Sequence, residues 1–327
     1  MIVVTGGAGF IGSNLVAALA DRGETKIAVC DVLDHPEKSA VMEKHPVAAL
    51  VSPADLMPWL AENGDGVETV FHMGATSATT VIDMEHLLDN NLGVSLDLWR
   101  WCSRNNRRLI YASSAATYGD GSDGFDDDND PAALARLTPL NPYGLSKQLF
   151  DIAAVKLAAA GFHPAQWAGL KFFNVYGPNE QHKGGQRSVA VQLYEQISAA
   201  GKARLFRSHN PDYADGGQLR DFIWVGDCVD VMLWLYDNPS VSGIFNCGTG
   251  TARSFLDLAN ACFAAMERDP DIDFIDTPAN IRDRYQYFTE ATTVRLRRAV
   301  YNRAFTPLED GVARYIRQYL ATNDPRR

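Results

Sequence analysis

Two hydrophobic periods take turns along the first half of the chain. Residues 1–5, MIVVT, form a short β-branched apolar run, and after GGAGFIG the spacing becomes helical in SNLVAALADRG. That is strand, glycine turn, helix. KIAVCD (26–31) reads as a second strand ending in an acid, and ETVFHMGA (68–75) and RLIYASSAATYG (108–119) as two more, with a helix-patterned stretch from about residue 87 to 104 between them. KQLFDIAAVKLAAAG continues as a long helix and AQWAGLKFF (165–173) as a strand. This alternation predicts an α/β fold with a Rossmann-type, doubly wound parallel sheet.

The second half alternates less regularly. SVAVQLYEQISAAG has helical spacing and RLFRS reads as a strand, followed by DFIWVGDCVDVMLWLYDN and SGIFNCGTG. Part of this, near 222–249, is expected to return to the large sheet. Residues 1–173 plus 222–249 are therefore expected to form a dinucleotide-binding domain, and 174–221 plus 250–327 a smaller C-terminal α/β substrate lobe. Trp224, Trp234 and Tyr236 lie at near-helical spacing and read as packing residues. The terminal ATNDPRR reads as a frayed end.

With 327 residues and 46% apolar content, the chain can bury a large core. A net charge of -10 and a pI near 5.2 argue against nucleic acid and anionic membrane surfaces as partners. The five cysteines are scattered, with no CxxC pair, so neither a disulfide framework nor a zinc site is expected. The start MIVVTGG lacks the basic and apolar regions of a secretory signal, and no apolar run is long enough to span a membrane. A cytoplasmic location fits these features.

Chemistry enters with Gly6, Gly9 and Gly12. On a strand-to-helix turn their spacing allows close backbone approach to a pyrophosphate and tight packing of helix on strand. Asp31, about twenty residues on at the end of the second strand, is placed to meet an adenosine ribose. Because ligands bind outside the carboxyl ends of parallel strands, His72 to Ser77, Asn90, Ser113, Ser114 and Thr117 are candidates to line one cleft. His72 has no partner at metal-ligand spacing and reads as a packed strand-end residue; no metal is expected. The acidic run GDGSDGFDDDNDP (119–131) does not match a calcium loop and reads as solvated.

Tyr143 and Lys147 are four residues apart at the start of a helical pattern, so they share a face. A nearby ammonium and an oxidised nicotinamide both favour the phenolate of a tyrosine, and the amine can also bond the cofactor ribose. Ser114, at a strand end, can steady a developing alkoxide. Together the three suggest hydride transfer. Lys183, in NEQHKGG, reads on composition alone as a solvated loop charge. Phe206 reads equally as a core strand residue or a pocket wall.

TGGAGFIG, YASSAATYG and PYGLSK, in this order, resemble the extended short-chain dehydrogenase/reductase, or NAD-dependent epimerase/dehydratase, family over nearly the whole chain. FHMGATSATT, LLDNN, FFNVYGPNEQHKG, LRDFIWVGDCVDV, SGIFNCGTG and RYQYFT are similar to its heptose 6-epimerase branch, the HKG after FNVYGP being the most specific. The resemblance implies a nucleotide-sugar epimerase that oxidises C6 of an ADP-linked heptose to a ketone and reduces it again on the other face. Inverting one carbon asks for a base for each epimer, Tyr143 for one and Lys183 for the other. It also implies cofactor contacts from Phe10, Ile11, Asp31, Lys38, Ala75, Asn90, Lys147 and Val175, and substrate contacts from Asn174, Arg220 and Tyr285, with Phe206 by the nucleotide. A guanidinium such as that of Arg220 suits a diphosphate.

The resemblance implies NADP and a homo-oligomer, with a pentamer as the suggested assembly. NAD stays close behind, since Asp31 favours a free ribose hydroxyl and Pro53 stands where a lysine is expected, leaving Lys38 for a 2′-phosphate. Gly185 and Gln192 depart from the serine and histidine of the branch, and SHNPDYADGGQ is longer than usual, so the sugar stays open. A 4-epimerase, dehydratase or reductase on another nucleotide sugar is the alternative. Ala115 and Ala116 beside Ser114 count against a dehydratase. A non-catalytic nucleotide sensor would have no need of Ser114, Tyr143 and Lys147 together.

Overall fold

In the computed structural model, which describes residues 1–282 and 285–327, the first half of the chain lays down six strands: β1 (Ile2–Thr5), β2 (Ile27–Cys30), β3 (Ala49–Val51), β4 (Thr69–His72), β5 (Arg108–Ser114) and β6 (Gln166–Phe172). The second half adds the short strands β7 (Asn174–Tyr176), β8 (Ala203–Phe206), β9 (Leu219–Arg220) and β10 (Phe222–Trp224), then β11 (Gly243–Cys247), β12 (Arg253–Ser254) and β13 (Ile272–Ile275). Seven strands make one parallel sheet in the order β11-β6-β5-β4-β1-β2-β3. The chain grows outward from β1 through β2 to β3, then returns to β4 on the other side of β1 and grows outward again to β11. The direction reverses between β1 and β4, and the crevice at the carboxyl ends there is where such sheets take ligands.

Both faces of the sheet are covered, which is why its strands read as unbroken apolar runs. Val3, Ala28 and Val70 enter one core with Leu98 and Trp99 of the Val94–Arg104 helix and Phe150 of the Pro142–Ala159 helix. Ile2, Val4, Val29 and Phe71 enter the other, against Leu15 and Leu19 of the Phe10–Asp21 helix and Met232 and Leu235 of the Val225–Asp237 helix. The α/β, doubly wound parallel architecture expected from the alternation is present. A third core joins Leu193, Leu258, Val312 and Tyr315 from three helices of the second half. Beside it lie three two-stranded sheets: β7 with β10 and β8 with β13, both parallel, and β9 with β12, antiparallel. Of the stretch near 222–249, β11 joins the large sheet while β10 pairs with β7.

Several local features differ from the pattern reading. The helix expected from about 87 starts at Met84, where Asp83 Oδ1 accepts from His86 N at 3.0 Å, and it widens into a π turn over Leu88–Gly93. The acidic run is not simply solvated, because β11 is a sheet edge and needs partners. Asp127, buried, accepts from Asn246 N at 2.9 Å, and Asn129 accepts from Ile244 N at 2.8 Å. Burial raises the Asp127 carboxyl to about 6. The end of the chain is docked rather than frayed: Arg326 reaches Glu37 with two bonds of 2.9 and 3.1 Å, and Arg327 N donates to Asn179 Oδ1 at 2.9 Å. Trp224 packs on Tyr176 and Tyr315, Trp234 on Tyr301, and Tyr236 on Phe71.

A buried chain of hydrogen bonds fastens β1, β4 and the π turn together. Ser95 Oγ donates to the Asn91 carbonyl, so it accepts from His72 Nε2 at 2.9 Å; His72 Nδ1 then accepts from Thr5 Oγ1 at 2.7 Å, which accepts from Gly74 N at 3.1 Å. Burial, reinforced by the Lys147 ammonium, pushes the His72 imidazole down to about 3. Folded His72 is thus neutral, while in the unfolded chain it takes a proton as pH falls through about 6.5. Its stabilising contribution is complete above that pH and is lost toward pH 3. From pH 7 to pH 5 the loss should be about 2 kcal/mol. Denaturant melts at both pH values should show it, and His72→Asn should remove that part of the difference; an unchanged difference in the variant would refute the assignment.

Candidate active site

The turn after β1 is shaped by contacts that admit no side chain. Gly6 has φ +65°, and a Cβ on it would come within 2.6 Å of the Gly74 Cα. A Cβ on Gly12 would run into the Gly6 carbonyl oxygen. Gly9 caps the Phe10–Asp21 helix with no side-chain bond, so the first-turn N–H groups are left for a ligand, and no acid stands in that turn. These features fit a dinucleotide pyrophosphate. A cleft of about 470 Å³ opens here, lined by Gly6, Gly9, Phe10, Ile11 and Gly12, by Asp31 and Lys38, by residues 73–78, and by Ser114, Tyr143, Lys147, Val175 and Lys183.

On the β2 side, Asp31 Oδ2 accepts from Ala8 N at 2.9 Å and Oδ1 from Val32 N at 2.7 Å and Lys38 Nζ at 3.2 Å. Lys38 also reaches the Val32 carbonyl at 3.0 Å and Asp34 at 3.2 Å. Across the switch point, the loop after β4 is held from the π turn. Asn91, buried, accepts from Thr76 N at 2.8 Å and donates to the Thr76 carbonyl and to Ser146 Oγ at 3.0 Å each. Asn90 donates to Thr76 Oγ1 at 2.8 Å and does not line the cleft, whereas Ala75 does.

Tyr143 sits in the first turn of the Pro142–Ala159 helix, which starts there because Pro142 presets the backbone and Asn141 Oδ1 accepts from Gly144 N at 2.8 Å. Burial raises the Tyr143 phenol, and the neighbouring Ser114 hydroxyl works against the rise. One turn on, Lys147 Nζ donates to the Ala112 carbonyl at 2.9 Å. Burial pushes this amine down to about 8, with the Asp151 carboxylate resisting. Ser114 ends β5, its hydroxyl accepting from Ala116 N at 3.1 Å.

Lys183 belongs to the short turn Gln181–Gln186, in which Gly184 has φ +54° and bends the backbone away. It is half-buried, and its ammonium lies 5.3 Å from the centre of the Phe10 ring. Burial lowers its pKa and the Glu180 carboxylate opposes this. Glu180 anchors the turn from inside, accepting from Ser188 Oγ at 2.7 Å, from Tyr315 OH at 3.0 Å and from Ser188 N. His182 lines the cleft beside Lys38 and Asp31, a position the chain pattern did not single out although the HKG stretch contains it. Burial, with Lys38 and Lys183 adding to it, lowers this imidazole to about 4.

The other candidates gather elsewhere. Phe206, Arg220 and Tyr285 line a second cavity of about 700 Å³ together with Gln192, Gln196 and Phe255. Arg220 is nearly buried, with its guanidinium 5.5 Å from the ring centres of both Phe255 and Tyr285. It donates to the Leu219 carbonyl at 2.8 Å and to the Gln286 carbonyl. From Phe206 and Tyr285 on this wall an aromatic series leads away through Tyr287 to Tyr213, at 5.2 to 6.3 Å between rings. Tyr213 comes from the long SHNPDYADGGQ segment. Asn174 is exposed, its Oδ1 accepting from Thr289 at 3.4 Å, and lines neither cavity. Arg284 of RYQYFT lies outside the described residues. No cluster of three or more potential metal ligands occurs among the described residues, and no helix there is long and apolar enough to cross a membrane.

The family model of the NAD dependent epimerase/dehydratase family matches residues 2–248. ADP-L-glycero-D-manno-heptose-6-epimerase of Nitratidesulfovibrio vulgaris strain DP4 is 52% identical, covering 99% of both chains, and the enzyme of that name from Fusobacterium nucleatum is 45% identical, again over 99% of both. Among solved structures, the Helicobacter pylori ADP-L-glycero-D-manno-heptose-6-epimerase superposes with a TM-score of 0.79 at 24% identity, covering 97% of this chain and 95% of that one. The Thermus thermophilus UDP-glucose 4-epimerase complex with NAD gives 0.74 at 24%, covering 95% and 96%. By its glycine turn, its sheet order and these likenesses, the chain belongs to the NAD dependent epimerase/dehydratase family.

Proposed function

We infer that the protein is an isomerase that interconverts ADP-D-glycero-D-manno-heptose and ADP-L-glycero-D-manno-heptose through a 6-keto sugar. The observation that carries this reading is that two proton-accepting side chains from separate elements, Tyr143 and Lys183, line the cleft that begins at the glycine turn. The names of relatives 45 to 52% identical over nearly the full length support the substrate.

A nicotinamide dinucleotide, when bound, supplies the acceptor and donor of hydride. Gly6, Gly9 and Gly12 would admit its pyrophosphate, Asp31 and Lys38 its adenosine ribose, and Lys147 its nicotinamide ribose. Tyr143 takes the C6 hydroxyl proton of one epimer, with Ser114 bonded to the same oxygen. Lys183 handles the proton at the oxygen of the other epimer, and its lowered pKa suits a base working near neutrality. Arg220 would clamp the sugar diphosphate, and the aromatic wall of the second cavity would face the nucleotide.

NADP is the favoured dinucleotide. Asp31 is already neutralised by Lys38 at 3.2 Å, and His182 lines the same corner, so a 2′-phosphate would meet a cation and an imidazole. NAD is the second reading, because the Asp31 carboxylate suits a free 2′-hydroxyl.

Three outcomes are expected. Purified protein incubated with the D-glycero substrate should form the L-glycero epimer; Tyr143→Phe and Lys183→Ala should each slow this about 100-fold or more, read by anomeric proton NMR. Near-wild-type turnover in Lys183→Ala would return that residue to a loop charge. Since Lys147 must stay an ammonium, kcat/KM should fall on the alkaline side with a midpoint near the value of about 8 to which burial brings it. Lys38→Ala should weaken NADP more than NAD in calorimetric titration of dinucleotide-free protein; equal weakening would favour NAD.

A further inference from the structure

Asp151 lies one helical turn beyond Lys147 and two beyond Tyr143, so the three share one face of the Pro142–Ala159 helix. It is fully buried, as is Lys171 on β6, whose ammonium is 3.2 Å from Asp151 Oδ2. The hydride-transfer reading uses neither. Taking two charges out of water is costly, and well-packed apolar residues would serve the fold at least as well. Their hydrogen bonds lead to the active-site strand. Asp151 accepts from Ser113 Oγ at 2.7 Å and from Tyr111 OH at 3.1 Å. Lys171 Nζ donates to Thr117 Oγ1 at 2.6 Å, and Thr117 Oγ1 donates to the Ser114 carbonyl at 2.9 Å. The Tyr118 ring lies 4.5 Å from the same ammonium. Residues on both sides of Ser114 are thereby tied to one carboxylate and its counter-ion.

We propose that Asp151 and Lys171 are a positioning pair: they lock the end of β5 that carries Ser114 against the helix that carries Tyr143 and Lys147, and Asp151 supplies a carboxylate to the buried Lys147 ammonium. This rests on the reading of Tyr143 and Lys147 as the groups that handle the proton. The charged and titratable groups that act on Lys147 are Asp151, one turn on along its own helix, and neutral His72 from β4, while Lys171 from β6 pairs with Asp151; Tyr143, one turn back, shares its face. Burial works to neutralise it and Asp151 works to keep it charged. The same carboxylate raises the Tyr143 phenol, the wrong direction for a base. Lys171 on its far side weakens that field without breaking the hydrogen bonds.

Asp151→Asn and Lys171→Met each strand one buried charge and should lower Tm. The double variant Asp151→Asn/Lys171→Met removes both and should recover most of the Tm, yet its alkaline limb of kcat/KM should lie about 1 pH unit below that of the wild type. The same shift can be read without substrate, from carbon-13 NMR of lysine-labelled, dinucleotide-loaded protein, with the Lys147 signal assigned by its loss in Lys147→Met. A wild type that turns over no ADP-heptose would overturn the substrate reading and leave this titration to decide the pair. A folded double variant whose limb and Lys147 titration match the wild type overturns the pair's role. If the double variant does not fold, Ser113→Ala and Thr117→Val decide, since each cuts one tie and no charge: a kcat about tenfold lower at unchanged KM supports the pair, and wild-type kcat in both overturns it.

Discussion

At the point where sheet growth reverses, the backbones of Gly6 and Gly74 lie so close that a single methyl group on Gly6 would not fit. This contact fixes how far apart β1 and β4 can diverge at their carboxyl ends, and so the width of the crevice between them. The Thr5–His72–Ser95 chain holds the same junction one residue deeper, using side chains where the glycines use bare backbone. Three of the elements that shape the cleft are referred to this junction. The glycine turn leaves it on one side, the 73–78 loop on the other, and the π turn clamps that loop through Asn91.

Charge is arranged around the junction in an order that burial alone would not select. Lys171 and Asp151 lie in the dry region behind the cleft, Lys147 lines it, and Asp31 and Lys38 are paired on its β2 side. Burial lowers the Lys183 amine, the direction a base near neutrality uses, whereas at Lys147 the Asp151 carboxylate opposes burial and keeps the ammonium charged. His72, beside Lys147, stays neutral and adds no second positive charge. A protein selected only for stability would replace such groups with apolar ones. Keeping them would suit the proposed reaction, in which a proton leaves and returns at a hydroxyl oxygen while hydride leaves and returns at the carbon that bears it.

The glycine turn, the strand ends and the Tyr143–Lys147 pair were legible along the chain because each depends on spacing within one element. Residues brought together from distant elements were not. His182 stands next to Lys183, but only the packing of the 181–186 turn near Asp31 and Lys38 puts it in the cleft. Asn90 and Asn91 are indistinguishable by pattern, and the π turn decides that Asn91 is the buried clamp. The acidic run looked solvated because charge density reveals nothing about an unpaired sheet edge nearby, yet Asp127 and Asn129 serve β11. The polar tail looked loose for the same reason, and its arginines find Glu37 and Asp21. Lys171 was the readable exception left unread, since a lysine inside an apolar strand must find a partner when both faces are covered.

Lys183 shows how a surface-type sequence becomes a site. Its turn has too few residues to build a core of its own, and Gly184 alone would let it wave in solvent. Glu180 supplies the missing constraint: its carboxylate is fully buried and engaged by Ser188 and Tyr315, so the first residue before the turn cannot move without stranding a charge. The amine is then delivered above the ring of Phe10, which also begins the helix behind the glycine turn. The ring face attracts the ammonium more weakly than water would solvate it, so the amine is held in place while its proton is loosened. One side chain thus borders both the dinucleotide turn and the proposed second base, and a shift of either would be felt by the other.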